Sequence, residues 1–253
     1  MTLHSELNMA NNNNLINNDI QIDQTNIQLV FNCYMQDFIN KNNSIISNLF
    51  YSTNCSISQC SNCNINIYNY QTYFFLIFPL EEVRKYKIQC NQFNFNNGFN
   101  NFNNNEVNIY DCFDYDSKIN IMSGENSMYC NYCKMTCSFV MKNYLVTGPN
   151  ILIIILNRGK GIEFDVKIHF EELLNLNNYI EYKETGVNYK LIGVITHIGE
   201  SGMGGHFIAY CLDPITNEWN KFNDAIVSPV NNFQNEVINF ANPYLLFYQK
   251  INI

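Results

Sequence analysis

Residues 187–230 constrain the fold more than any other stretch of the chain, reading VNYKLIGVITHIGESGMGGHFIAYCLDPITNEWNKFNDAIVSPV. An apolar run over 191–195 ends at Thr196 and His197, a loop carrying Gly199, Gly202, Gly204 and Gly205 follows, and a second strand opens at His206. Alternation along that strand puts His206, Ile208 and Tyr210 on one face and Phe207, Ala209 and Cys211 on the other. Asp213 and Pro214 supply the next turn, and 219–222 reads as a third strand ending at Asn223 and Asp224. A histidine at the mouth of one strand thus meets an Asn-Asp pair at the end of its hairpin partner. An amide or carboxylate there can hold the imidazole in the tautomer that accepts a proton from a nucleophile. On chemistry alone, such a histidine is more often a structural one satisfied by its polar neighbour. Glycines just before it leave room for a substrate backbone to come close.

The cysteines set a second constraint. Cys60 and Cys63 form one Cys-x-x-Cys pair, and Cys130 and Cys133 form another. Residues 1–14 lack the apolar core of a signal peptide, and the apolar runs 73–80 and 151–156 are too short to span a bilayer. The chain therefore reads as soluble and intracellular, cytoplasmic or nuclear, with its 10 cysteines held as thiols, metal ligands or catalytic groups rather than disulfides. In a reducing compartment, two such knuckles point to one tetrahedral, structural zinc, because each tight turn presents two thiolates. Unmetallated thiol pairs are the plainer alternative. Cys55 and Cys137 lie close enough in sequence to be alternative ligands, whereas Cys90 and Cys112 read as packing thiols.

At 253 residues the chain can be one large domain or two small ones. Its hydrophobic content of 47% suits a folded protein, with polarity carried largely by asparagine. The formal net charge of −8, 14 Lys and Arg against 22 Asp and Glu, argues against nucleic acid or an anionic membrane as the main partner. Residues 1–28 read as an Asn-rich disordered leader and 91–105 as an exposed Asn-rich insertion. Residues 29–40 place Val30, Tyr34, Phe38 and Ile39 near helical spacing, and Ser44 can cap a second short helix, Ile45–Phe50. Beyond Gly148 and Pro149 the pattern turns to β structure. Residues 151–156 predict a strand buried on both faces, 158–161 a turn, 164–168 a strand pairing back, and 171–176 a helical turn. Val237 and Phe240 sit at helical spacing, and 244–248 predicts the closing strand.

The string 187–230 resembles the histidine box of the ubiquitin-specific proteases, which are cysteine deubiquitinases. The match runs in order through Tyr189, Lys190, Leu191, Val194, His197, then Gly205, His206, Phe207, Ala209 and Tyr210, then Trp219, Phe222, Asn223, Asp224 and Val227. Gly124, Glu125 and Tyr129 before the second knuckle, and residues 44–51, fit the same family. The resemblance implies an α+β fold: a papain-like cysteine protease palm of antiparallel strands with a zinc-ribbon fingers subdomain, the thumb largely missing. It spans 29–253, with thumb-end helices over 29–50, fingers over 51–145 and palm over 146–253. His206 is then the general base and Asn223 the third triad member. Asp224 is a supporting polar residue, or the orienter if Asn223 is not. His197 is structural. Gly204, Gly205 and Tyr210 would meet the C-terminal tail of ubiquitin, the implied partner together with ubiquitinated proteins, and Cys60, Cys63, Cys130 and Cys133 would hold the zinc.

The family's nucleophile lies in an N-terminal box reading roughly Gly-Asn-Thr-Cys-Tyr-Met-Asn. The nearest string here, residues 31–36, shares Asn32, Cys33, Tyr34 and Met35 by type but lacks the glycine lead-in and directly abuts residues 44–51. Cys33 is accordingly expected to be a helix cysteine, and the chain a deubiquitinase fragment whose nucleophile lies in a missing N-terminal segment. A catalytically inactive ubiquitin-binding module and an unrelated zinc-stabilised scaffold are the rivals.

Overall fold

The computed structural model describes residues 27–94, 106–159, 165–181, 186–199, 204–239 and 242–252, grouped in two compact units. The leader expected over 1–28 lies outside the described residues except for its last two, which belong to the helix Ile27–Asn42. The insertion expected over 91–105 splits likewise: 91–94 close the helix Leu80–Asn94, and the rest lies outside.

The first unit comprises Met1–Phe74, Ser117–Asn150 and Asn178–Thr185. Its framework is a four-stranded antiparallel sheet in the order β2 (Asn66–Tyr73), β1 (Ser52–Cys60), β8 (Phe139–Leu145) and β5 (Asn120–Met122). The helix Ile27–Asn42 lays Phe31 and Tyr34 against Tyr70 of β2, each with ring centroids 5.9 Å away. Phe31, Cys55 and Val146 form the buried cluster there, with Met35 packed on it. Ile39, expected on this apolar face, is instead 49% exposed. The helix Ile45–Phe50 starts as its sequence predicts: Ser47 N donates to Ser44 Oγ (3.1 Å), and Ser44 N donates to Ser47 Oγ (2.9 Å). This reciprocal pair satisfies otherwise orphaned amides. Ser44 is fully buried, so Ser44→Ala is expected to lower stability by about 1–2 kcal/mol, read as a lower midpoint in urea unfolding of the whole chain.

The second unit comprises Phe75–Asp116, Ile151–Asn177 and Gly186–Ile253. Its eight-stranded sheet runs β15 (Ile226–Pro229), β14 (Trp219–Asn223), β13 (His206–Leu212), β12 (Asn188–Ile198), β16 (Pro243–Ile251), β9 (Ile151–Asn157) and β3 (Leu76–Pro79), with β11 (Leu173–Asn175) also on β12. All neighbours are antiparallel save β3 and β9. Because β3 pairs with β9, residues 75–116 belong to this unit and not to one continuous fingers segment over 51–145. The helices Leu80–Asn94 and Ile109–Asp116 and a small parallel pair, β4 (Glu106–Asn108) with β10 (Lys167–His169), complete it.

Three local expectations change. In β9, Leu152, Ile154 and Leu156 are wholly buried while Ile151, Ile153 and Ile155 stay partly open, so the strand is buried on one face rather than both. Each buried aliphatic contributes roughly 1.5–3 kcal/mol. Of the residues expected to pair back onto 151–156, 164 lies outside the described residues and 165–168 do not, because both edges of β9 are taken by β16 and β3; Lys167–His169 joins β4 instead. Residues 171–176 contain β11 (Leu173–Asn175) rather than a helical turn: Phe170, Leu174 and Leu176 are buried at a spacing of two or four, while Leu173 is 54% exposed. Gln234–Asn239 is helical in π form, with Val237 wholly buried. Among the described residues, no helix is long and apolar enough to cross a membrane.

Candidate functional site

His206 opens β13 and Asn223 closes β14, and the two strands pair through Ala209 and Phe222. That register brings the two side chains together: His206 Nε2 lies 2.5 Å from Asn223 Oδ1. A carbonyl oxygen can only accept, so Nε2 carries the proton and Nδ1 keeps the lone pair. Asp224 Oδ2 stands farther off, 3.7 Å from Nε2, and its side chain is 81% exposed. It sits at φ 52 in the two-residue turn before β15, a backbone region that Asp tolerates better than most residues. Asn223, rather than Asp224, thus makes the short hydrogen bond to the ring. Asn223→Ala is expected to release the imidazole, so that its Nε2 proton exchanges faster with water; NMR of histidine labelled with nitrogen-15 reads this directly.

Gly199 and Gly205, on either side of the loop before His206, both lie against His197. This imidazole is 8% exposed and packs edge-on against Phe207, with Tyr244 closing a three-ring cluster, centroids 4.9 and 5.8 Å away. A Cβ on Gly205 would fall 2.4 Å from both Cε1 and Nε2 of His197, and Gly205 has φ +150. Only glycine fits there. A Cβ on Gly204 would meet nothing within 4 Å. Tyr210, expected to meet a substrate, is a core residue at 6% exposure, because it shares the inward face of β13 with Ile208.

Arg158 was legible only as part of a turn, yet it is 1% exposed. Its Nε donates to Pro243 O and its Nη1 to Val166 O, both at 2.8 Å. Burial pulls its pKa down to about 10. From the other side, Thr196 Oγ1 donates to Asn242 O at 2.8 Å and His197 N donates to the same oxygen at 3.2 Å. The entry to β16 is thus clamped, and Tyr244, one residue on, packs against Phe207 at 5.3 Å. The signal available in the sequence was an arginine directly following an apolar strand.

In the first unit, Cys60, Cys63, Cys130 and Cys133 bring their sulfurs within 4.8 Å of one another, a group that could hold a metal ion. The two knuckles are built alike. Asn64 N donates to Cys60 O (2.8 Å) with Asn64 at φ 57, and Lys134 N donates to Cys130 O (2.9 Å) with Lys134 at φ 55. The second knuckle joins β6 (Met128–Cys130) to β7 (Met135–Cys137). The backbone N–H of Cys63 aimed at Cys60 pulls that thiol down to about 6, towards the thiolate a metal needs. Cys55 stands outside this group, its thiol pushed up by burial. Cys33 is exposed on the helix Ile27–Asn42, in a different unit from His206. Cys211 is exposed on β13 but points to the opposite face from His206 by alternation.

The family model of the ubiquitin carboxyl-terminal hydrolases matches residues 2–248. The chain is 24% identical over 260 residues to ubiquitin carboxyl-terminal hydrolase Usp2 of Drosophila melanogaster, covering 98% of itself and 24% of that protein. It is 30% identical over 154 residues to ubiquitin carboxyl-terminal hydrolase 2 of Bos taurus, covering 57% of itself and again 24% of the relative. Among solved structures it resembles the yeast SAGA DUBm with an Sgf73 mutant (TM-score 0.63, 22% identity, 87% of this chain and 46% of that one). It also resembles the SAGA Ubp8/Sgf11/Sus1/Sgf73 DUB module bound to ubiquitin aldehyde (TM-score 0.60, 23% identity, 89% and 48%). The chain thus spans about a quarter of these relatives and about half of the solved chains. With the match running through both units, from the cysteine knuckles to the His206–Asn223 pair, the chain belongs to the ubiquitin carboxyl-terminal hydrolase family.

Proposed function

We propose that this chain is the fingers and palm of a thiol-dependent deubiquitinase, which removes ubiquitin from protein conjugates. The His206–Asn223 hydrogen bond carries this reading, since it leaves Nδ1 free to take a proton from a thiol. In that reaction the thiolate attacks the carbonyl of ubiquitin's C-terminal glycine. His206, now protonated, gives its proton to the leaving amine, and water then releases the acyl group with the same imidazole as base. Asn223 holds the ring through both transfers. The nucleophile would come from residues beyond these 253: Cys211 faces away from His206 by alternation, and the string around Cys33 lacks the glycine lead-in of the family's cysteine box. The cysteine knuckles would hold one structural zinc. Four thiolates about 2.3 Å from a tetrahedral ion stand about 3.8 Å apart, against 3.9 Å for Cys60 to Cys133 and 3.7 Å for Cys63 to Cys130. Bound zinc ties the two knuckles together and leaves no open position for chemistry. The place of action follows its substrates, in the cytoplasm or nucleus.

The test is intact-mass analysis after incubating the chain with ubiquitin bearing a C-terminal thiol-reactive warhead. Reversible ubiquitin binding without a covalent adduct is expected. An adduct mapped to Cys33 would show a nucleophile within this chain. Absence of any ubiquitin affinity would sink the deubiquitinase reading.

A further inference from the structure

A fifth thiol stands beside the four knuckle cysteines. Cys137 ends β7, four residues after Cys133, and is 8% exposed. In the β6–β7 ribbon Cys130 pairs with Met135 and Met128 with Cys137. Cys130 and Cys137 are therefore diagonal neighbours on one face, a spacing that side chains can close. The first knuckle is brought to the same place: Ser61 N donates to Ser138 O at 2.9 Å, and Cys60 pairs with Phe139. Cys137 shares one buried cluster with Cys60, Cys130 and Phe139, and Cys63 and Cys133 pack against that cluster. It is not among the four that converge, and its thiol instead points at Met135 O, 3.6 Å away.

We propose that Cys137 is a reserve ligand, which replaces Cys133 when that thiolate is lost to substitution or modification. Cys133 is the ligand to be replaced because it is partly exposed and lies on the same ribbon four residues before Cys137, packed against its cluster, whereas Cys60 and Cys130 are buried. The exchange balances simply: the Cys133 sulfur–metal bond is absent, the Cys137 thiol releases its proton to water, and its thiolate makes the fourth bond. This rests on the zinc reading above. It gives the site five thiols for four positions and makes loss of its solvent-facing ligand survivable.

Cobalt(II) serves as the probe, because the strength of its thiolate charge-transfer band counts coordinated sulfurs. The full chain is loaded as wild type, Cys137→Ser, Cys133→Ser and the Cys133→Ser/Cys137→Ser double variant. Wild type and Cys137→Ser are expected to show the same four-thiolate spectrum. Cys133→Ser should retain four thiolates and an affinity within about tenfold of wild type, while the double variant falls to three thiolates and binds weaker by about a hundredfold. Identical three-thiolate spectra for Cys133→Ser and the double variant would overturn the proposal, and so would a Cys133→Ser chain that takes up no cobalt. If wild type itself takes up none, the zinc reading fails along with the reserve ligand, and the four proteins then behave alike.

Discussion

Replacing both cysteines of the first knuckle, Cys60→Ser together with Cys63→Ser, is expected to abolish the zinc binding proposed above and the order of the residues around the site. Even with Cys137 recruited, three thiols remain, one short of a closed shell. The loss is large because little else holds this end of the first unit. β6 and β7 are three residues each and pair only with one another, and an isolated two-stranded ribbon is at best marginal in water. Met128, Tyr129, Tyr132 and Met135 are all exposed, so the ribbon has few apolar side chains to bury. Structural zinc in small folds contributes about 10–16 kcal/mol of binding free energy, which far exceeds what such a ribbon can supply. Metal analysis should fall from one zinc per chain to none. Hydrogen exchange should then rise across Met128–Cys130 and Met135–Cys137, while β12 in the second unit keeps its protection. Unchanged zinc content would refute the ligand assignment. A uniform rise across both units would show instead that the site stabilises the whole chain. A chelator in excess should reproduce the local pattern without any substitution.

Much of the site was legible because its signals are short-range. Period-two alternation in residues 206–211 sets which face His206 takes, and a hairpin register carries Asn223 to it. The knuckles are equally local, since each Cys-x-x-Cys turn needs only one hydrogen bond and one residue at positive φ. Ser44 and its cap lie within four residues of one another. What was missed depends on partners far along the chain. Residues 167–169 could not be assigned to β4 without knowing that β16 and β3 fill both edges of β9. Arg158 looks like a turn residue until Pro243 O and Val166 O are seen to accept its guanidinium. Tyr210 has the polarity of a contact residue, and its burial follows only from the depth of β13 in an eight-stranded sheet. Gly204 and Gly205 look interchangeable in sequence, yet one faces open space and the other an imidazole.

That last contrast makes the second large prediction. Gly205→Ala places a methyl 2.4 Å from His197 Cε1, Nε2 and from Ile198 O, and asks an L-residue to hold φ +150. Neither obstacle yields easily. His197 is held against Phe207 and Tyr244, which also pack on one another, and Ile198 O belongs to the backbone of β12, opposite His206 itself. Backbone strain of about 1–3 kcal/mol and an overpacking cost of about 1–3 kcal/mol predict a total of about 2–6 kcal/mol. The thermal midpoint should fall by on the order of 10 °C. Relief requires moving either His197 or the start of β13, and the second displaces His206 from Asn223. Gly205→Ala should therefore lose the slow exchange of the His206 Nε2 proton, as Asn223→Ala does, although it touches neither residue. Gly204→Ala separates the structural demand from the functional one. Its added methyl meets nothing within 4 Å, so stability should stay within about 0.5 kcal/mol of wild type. If a ubiquitin tail passes close over this loop, the same methyl must obstruct it, and the Kd for ubiquitin should rise while the fold is untouched. A Gly204→Ala chain that binds ubiquitin as tightly as wild type would mean that the loop is glycine-rich for His197 alone, and that the tail takes another path.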